Sequence, residues 1–157
     1  MKKNSGFKVV LFEPEIPQNT GNIARLCACT GSDLILVGKL GFSLSEKYVK
    51  RAGLDYWDSV KITQVQSLEE LFAQFPNEEK YFLTTKAKQS HFEANFKAGS
   101  LLVFGSETRG LPAKVIEDNF QNAFRIPMIE GQRSLNLSNS VSIVLYEAIR
   151  QSGNISY

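Results

Sequence analysis

Small polar side chains are concentrated near the end of the chain. Residues 126–128 read Ile-Pro-Met, and Ser134, Asn136, Ser138 and Asn139 follow before an apolar helical spacing begins. One Ser or Asn is enough to cap a helix by accepting its free N–H groups. Because four such residues exceed that need, we predict that this helix start binds a ligand. Caps within a solvated loop are the alternative.

A second polar loop, residues 13–25, directly follows an apolar run. On the helix predicted there, Asn22 and Arg25 share one face, and Gly21 leaves room for a substrate to approach. An arginine beside a bare helix N-terminus suits phosphate recognition. A surface arginine on an amphipathic helix is the alternative.

The third loop, residues 105–112, carries Gly105 and Gly110 after another apolar run. Leu111 and Pro112 stand where a P-loop needs Lys and Ser or Thr, which excludes that class of nucleotide hydrolase. A tight glycine loop can bring backbone groups against a small ligand, with Glu107 as a fixed carboxylate. A tight connection with solvated charges is the alternative.

Alternating strands and helices are predicted to position these loops. Strands are predicted at residues 7–12, 33–37, 80–85, 101–105 and 123–126, and helices at 17–30, 46–52, 67–75, 112–118 and 136–151. This order predicts an α/β fold with a mostly parallel sheet flanked by helices. Because all three loops follow strands, we expect them to converge at one edge of the sheet.

The composition is typical of one globular domain. The 157 residues, 43% hydrophobic and 22% charged, are enough for a core, and the net charge of +2 excludes a strongly basic coat. Residues 1–6 are expected to form a short flexible extension rather than a signal sequence, and no apolar run is long enough for a membrane span, so a cytoplasmic location is expected. Cys27, Cys29 and His91 form no convincing zinc ligand set, so no metal is expected.

Five motifs resemble those of the SPOUT superfamily of RNA methyltransferases, and among them most closely the TrmL (YibK-like) tRNA 2′-O-methyltransferases. They are PEIPQNTGN (14–22), GLDY (53–56), LTTK (83–86), FGSETRG (104–110) and NLSNSV (136–141). The resemblance covers nearly the whole chain after residues 1–6. It implies an α/β-knot fold with a deep C-terminal trefoil knot, an exception to the usual unknotted topology. It also implies a homodimer with a shared active site.

The resemblance further implies S-adenosylmethionine as cofactor and ribose 2′-O-methylation of the wobble C or U in the anticodon stem-loop of a tRNA. Arg25 matches the family's catalytic arginine, and Asn19, Glu107 and Ser138 are expected as further catalytic-site members. The residues expected to bind the cofactor fall in the remaining motif segments: Leu83, Thr84, Gly105, Glu107, Gly110, Ile126, Met128, Ser134, Leu135 and Asn136.

Arg25 is interpreted as an electrostatic stabiliser, because a guanidinium stays protonated and is a poor base. RNA contacts are expected from a set of basic residues, Lys47, Lys50 and Arg51 together with Arg25, Lys86 and Arg133. A solvated helix face is the alternative for residues 47–51.

The function has two alternatives at this stage: 2′-O-methylation of another tRNA or rRNA nucleotide, and a non-catalytic RNA-binding member of the fold. The dimer is also suggested by the closing helix. Its apolar and aromatic positions Val141, Leu145, Tyr146 and Ile149 extend further round than one core-facing stripe requires.

Overall fold

Parallel strands form the centre of the structure, a computed structural model that describes residues 4–45, 57–153 and 155. The strands are β1 (Lys8–Phe12), β2 (Asp33–Val37), β3 (Ile62–Val65), β4 (Lys80–Leu83), β5 (Gln89–Ser90), β6 (Leu101–Phe104) and β7 (Ala123–Arg125). Their order in the sheet is β3-β2-β1-β6-β4-β7-β5, and every pairing between these strands is parallel. The predicted α/β fold with a mostly parallel sheet is confirmed.

Four α-helices of the described residues flank the sheet: α1 (Pro17–Thr30), α2 (Leu68–Gln74), α3 (Ala113–Asp118) and α4 (Leu137–Ser152). Their ends follow the local chemistry of the sequence. Pro17 stands in the first turn of α1, where a missing N–H costs nothing, and Gly31 ends that helix with a left-handed φ of 65°. Ser67 caps α2 by accepting the N–H of Glu70. The helices predicted in these four regions are confirmed.

The sheet is covered on both faces, which accounts for its continuous apolar strands. Because side chains alternate along a strand, Val9 packs with α1 and α4 on one face, whereas Val10 packs with α2 and α3 on the other. On α4, the predicted core positions are buried: Leu137, Val141, Val144, Leu145 and Ala148.

Part of the sequence argument for a dimer is wrong, because most of the closing-helix residues on which it rests are buried within the chain. Val141, Leu145 and Ile149 are buried in the chain's own core, because α4 packs against both the sheet and α1. The exposed apolar side chains of α4 are Ile143 and Tyr146, with 40% and 51% of their surface exposed. Of the residues first considered, only Tyr146 is therefore available on this helix for contact with a second copy, together with Ile143.

The expected flexible extension over residues 1–6 is wrong at Ser5. Ser5 is fully buried, its N–H donates to the carbonyl of Thr30 at 2.9 Å, and its hydroxyl shares a hydrogen bond with Ser32. These contacts attach the segment to the end of α1. Residues 1–3 lie outside the described residues.

Several predicted features fall outside the described residues: the helix at 46–52, the GLDY motif at 53–56, and Lys47, Lys50 and Arg51. The trefoil knot stays a prediction. In the described part of the chain, no helix has both the length and the apolar character needed to cross a membrane.

Candidate functional site

A cavity of about 600 Å³ lies where the chain leaves β4, β6 and β7. Its wall is formed by residues 83–86, 104–111 and 134–137, with Ile16, Asn19, Ile116, Ile126, Met128 and Ser140. The prediction that the three polar loops converge at one edge of the sheet is thus confirmed. The volume suits a small organic ligand or cofactor.

All ten residues expected to bind the cofactor line this cavity: Leu83, Thr84, Gly105, Glu107, Gly110, Ile126, Met128, Ser134, Leu135 and Asn136. Their binding roles stay predictions. Sequence reasoning missed several further wall residues, Thr108 and Ile116 among them. Thr108 lies inside the FGSETRG motif and could have been included, whereas Ile116 reaches the wall through the packing of α3 and has no sequence signal.

The glycine loop closes on itself. The N–H of Gly110 donates to the carbonyl of Ser106 at 3.0 Å, and that of Arg109 to the Ser106 hydroxyl at 3.3 Å. A Cβ atom on Gly105 would lie 2.1 Å from the carbonyl carbon of Gly110 and 2.2 Å from the nitrogen of Leu111. Gly105 is therefore required by the return path of its own loop.

The Glu107 carboxylate binds the chain segment that leads into α1. It accepts N–H groups from Glu15, at 2.9 Å, and from Ile16. Burial raises the pKa of Glu107, and these hydrogen bonds oppose that rise. Both donors precede the first residue of α1, Pro17, and no side chain caps this helix. Phosphate recognition at a bare helix N-terminus therefore stays a prediction. Through its hydrogen bonds, Glu107 positions α1 against the cavity.

Asn136 joins the start of α4 to α1. Its Oδ1 accepts N–H groups of Ser138 at 2.9 Å and of Asn139 at 3.3 Å, and its Nδ2 donates to Oδ1 of Asn19 at 3.1 Å. The two N–H donors fix which way the Asn136 amide is turned, and that orientation in turn fixes the amide of Asn19.

Asn19 keeps a free donor at the cavity. It is 5% exposed, it lines the wall, and its Nδ2 has no hydrogen-bond acceptor within the described residues. An amide donor at the wall of a cavity is suited to an oxygen atom of a ligand. Ser138, in contrast, is not among the wall residues. Its hydroxyl donates to Oδ1 of Asn136 at 2.6 Å, which places it in the helix cap.

Arg25 is exposed on α1 and is not among the described residues that line the cavity. It lies about 12 Å along the helix axis from Pro17, at 1.5 Å per residue. Lys86 is exposed and lines the cavity, and Arg133 is exposed next to Ser134. No three His, Cys, Asp or Glu residues of the described ranges are grouped so that they could hold a metal ion.

Three loops form the cavity at the carboxyl ends of parallel strands. Comparison of the sequence with known protein families identifies the class of protein to which the chain belongs. The family model of the SpoU rRNA Methylase family matches residues 6–146. The chain belongs to this family.

Two relatives resemble the chain over nearly its whole length. The tRNA (cytidine(34)-2′-O)-methyltransferase of Methylovorus glucosotrophus is 49% identical over 147 residues, 92% of this chain and 95% of the relative. A structure solved in work on the 2-OH methylation of C/U34 on tRNA is 41% identical, with a TM-score of 0.88, and covers 92% of this chain and 95% of that chain.

The fold also extends to a more distant protein. The SpoU methyltransferase AviRb of Streptomyces viridochromogenes, in complex with the cofactor AdoMet, has a TM-score of 0.81 at 24% identity. The match covers 96% of this chain and 58% of AviRb. At this identity the similarity shows a shared fold.

Proposed function

We propose that this protein transfers a methyl group from S-adenosylmethionine to the ribose 2′-oxygen of C or U at position 34, the wobble nucleotide, of a tRNA. The observation that carries the proposal is the cavity formed by all three motif loops, in a chain so similar to methyltransferases of that nucleotide. A tRNA substrate is in keeping with a cytoplasmic location.

The cavity fits S-adenosylmethionine chemically. Leu83, Phe104 and Ile126 supply apolar wall against which an adenine ring can pack. The unpaired Nδ2 of Asn19 supplies a donor for a ligand oxygen, and Ser134 adds a small hydroxyl. When bound, the cofactor supplies an electrophilic methyl group on a sulfonium.

The chain's own residues position the reactants and stabilise charge. Arg25 is exposed on α1 and lies outside the cavity wall, so its action on the reacting ribose requires the shared active site of the proposed homodimer. There its guanidinium stabilises the negative charge on the 2′-oxygen as this atom bonds to the methyl group and passes its proton to water. Glu107 holds the start of α1 against the cavity, and Asn136 orients Asn19. Lys86 and Arg133 supply cations for the phosphate backbone beside the cavity.

The proposal includes a homodimer. Ile143 and Tyr146 form an exposed apolar pair on α4, and burial of such side chains against a second copy is favourable. We expect light scattering at micromolar concentration to give twice the chain mass of 17.6 kDa. A mass of 17.6 kDa under those conditions would exclude the dimer and the shared active site.

The activity is tested with purified protein, methyl-labelled S-adenosylmethionine and a tRNA that carries C or U at the wobble position. We expect label in the 2′-O-methyl nucleoside of position 34 and none in a matched tRNA with a 2′-deoxynucleotide there. Label at another nucleotide would change the substrate assignment. Absence of label with folded protein would support a non-catalytic RNA-binding member of the fold.

A further inference from the structure

Two loops of the site exchange hydrogen bonds in both directions. The Glu107 carboxylate accepts the N–H groups of Glu15 and Ile16. In return, Oε1 of Glu15 accepts the N–H of Thr108 at 3.1 Å and its hydroxyl at 2.7 Å. We call this pair of carboxylates and their donors, residues 15–16 and 107–108, the loop clasp. It joins segments more than ninety residues apart.

The electrostatics of the clasp keep Glu15 ionised. The hydrogen bond from the Thr108 side chain, with that from its N–H, lowers the pKa of Glu15. Burial raises the pKa of Glu107, the N–H groups of Glu15 and Ile16 act to lower it, and the charge of Glu15 acts to raise it. A charged acceptor makes the bonds to Thr108 stronger than bonds to a neutral acceptor.

The location of the clasp links it to ligand binding. Glu107 and Thr108 line the cavity, whereas Glu15 does not. Because Asn19 of α1 is bonded to Asn136 at the start of α4, the clasp completes a chain of contacts through all three motif loops. Hydrogen bonds thus connect the wall segments of all three motif loops, and Glu15 holds the glycine loop from outside the cavity.

We propose that Glu15 is a positioning residue for the cofactor. Its carboxylate holds Thr108 against the start of α1, and so keeps residues 105–111 in the shape that binds S-adenosylmethionine. This inference rests on the proposed function. Without the carboxylate, the N–H and hydroxyl of Thr108 turn to water, and the loop must be ordered again when the cofactor binds, which weakens binding.

Calorimetry with S-adenosylmethionine and S-adenosylhomocysteine tests this role, with thermal unfolding as the check of folding. We expect Glu15→Ala to weaken binding of both compounds about tenfold, the scale of one charge-assisted hydrogen bond. Glu15→Gln restores most of the affinity, because its amide oxygen accepts the same donors. Glu69→Ala is the matched control: Glu69 is exposed in the first turn of α2, outside the cavity wall, and binding stays at the wild-type level.

Thr108→Val separates the clasp from a general loss of stability. It removes the hydroxyl donor and keeps the N–H, so we expect a smaller loss of affinity than for Glu15→Ala. The double variant binds no more weakly than Glu15→Ala alone, because both changes act on one contact.

Wild-type affinity in folded Glu15→Ala and Thr108→Val would overturn the positioning role and leave the proposed function intact. If Glu15→Ala does not fold, Thr108→Val alone decides the role. A wild-type protein that binds neither compound would instead overturn the proposed function, and the positioning role with it.

Discussion

Arg25 lies on the exposed surface of α1, apart from the cavity wall, so the residues that bind the cofactor and the residue expected to assist the reaction occupy different surfaces. The sequence predicted that they lie together, because their motifs each directly follow a predicted strand. The structure adds the contacts that hold α1 in place, through Glu107 at its start and Asn19 in its first turn. A change at Arg25 should therefore affect turnover without disturbing the cavity.

Arg25→Ala is expected to slow methyl transfer by raising its activation free energy by roughly 2.7 to 4 kcal/mol, the effect of removing one donor to a developing oxyanion. Cofactor affinity should remain near wild type, because Arg25 does not line the cavity. Arg25→Lys recovers little, since an ammonium cannot reproduce the planar guanidinium. Single-turnover assays at saturating cofactor measure the rate; near-normal turnover in Arg25→Ala would refute the catalytic role.

The two glycines of the third loop should respond differently to alanine. A Cβ on Gly105 meets backbone at 2.1 Å, so Gly105→Ala forces the loop open, at a cost of about 1–3 kcal/mol in unfolding free energy and with weaker cofactor binding. Gly110→Ala meets no atom within 4 Å and bears only the cost of its left-handed φ of 67°, about 1–2 kcal/mol.

Urea unfolding and calorimetry compare the two glycine variants. The decisive result is cofactor affinity: we expect Gly105→Ala to lose more of it than Gly110→Ala. Equal cofactor affinities in the two folded variants would show that cofactor binding does not require the closed form of the loop.

At the scale of elements, α1 and α4 are joined at the cavity through one pair of amides. Asn136 both caps α4 and donates to Asn19, and the second function leaves the Nδ2 of Asn19 free for a ligand. Residue type alone could not separate these functions, since an asparagine before a helix is an ordinary cap. The same ambiguity explains Ser138, which was expected in the site and lies in the cap.

Asn136→Asp should separate capping from ligand binding. Aspartate still accepts the N–H groups that begin α4, so the unfolding free energy should change little, whereas Asn136→Ala should lose about 0.5–2 kcal/mol. Aspartate cannot donate to Asn19, so the Asn19 amide turns to donate to it, and the free donor at the cavity is lost.

Chemical unfolding and calorimetry of the two Asn136 variants check this. We expect Asn136→Asp to be nearly as stable as wild type but to bind cofactor more weakly. Wild-type cofactor affinity in that variant would show that the Asn19 donor is not used.

At the scale of the whole molecule, the sequence predicted the central strands and four flanking helices, because strands buried on both faces form continuous apolar runs. It missed β3 and β5, which lie at the two edges of the sheet. Gln64 of β3 is exposed, and β5 has only two residues, so neither carries a clear apolar pattern. Short edge strands are defined by their neighbours more than by their own sequence.

The location of the site could be predicted from the sequence, whereas the contacts within it could not. Its three loops share one position, the end of a parallel strand, and that rule requires no knowledge of the tertiary structure. The partners of Glu107 are 91 and 92 residues away in the chain, and no spacing in the sequence encodes such a contact. The distance of Arg25 from the cavity wall likewise depends on how α1 packs.

The central claim is that the protein methylates the wobble ribose of a tRNA. Mass spectrometry of tRNA nucleosides from cells with and without the gene tests it most directly. We predict that 2′-O-methylcytidine or 2′-O-methyluridine at position 34 disappears without the gene, and returns with the wild-type gene but not with Arg25→Ala. Unchanged 2′-O-methylation at that nucleotide in cells without the gene would contradict the account.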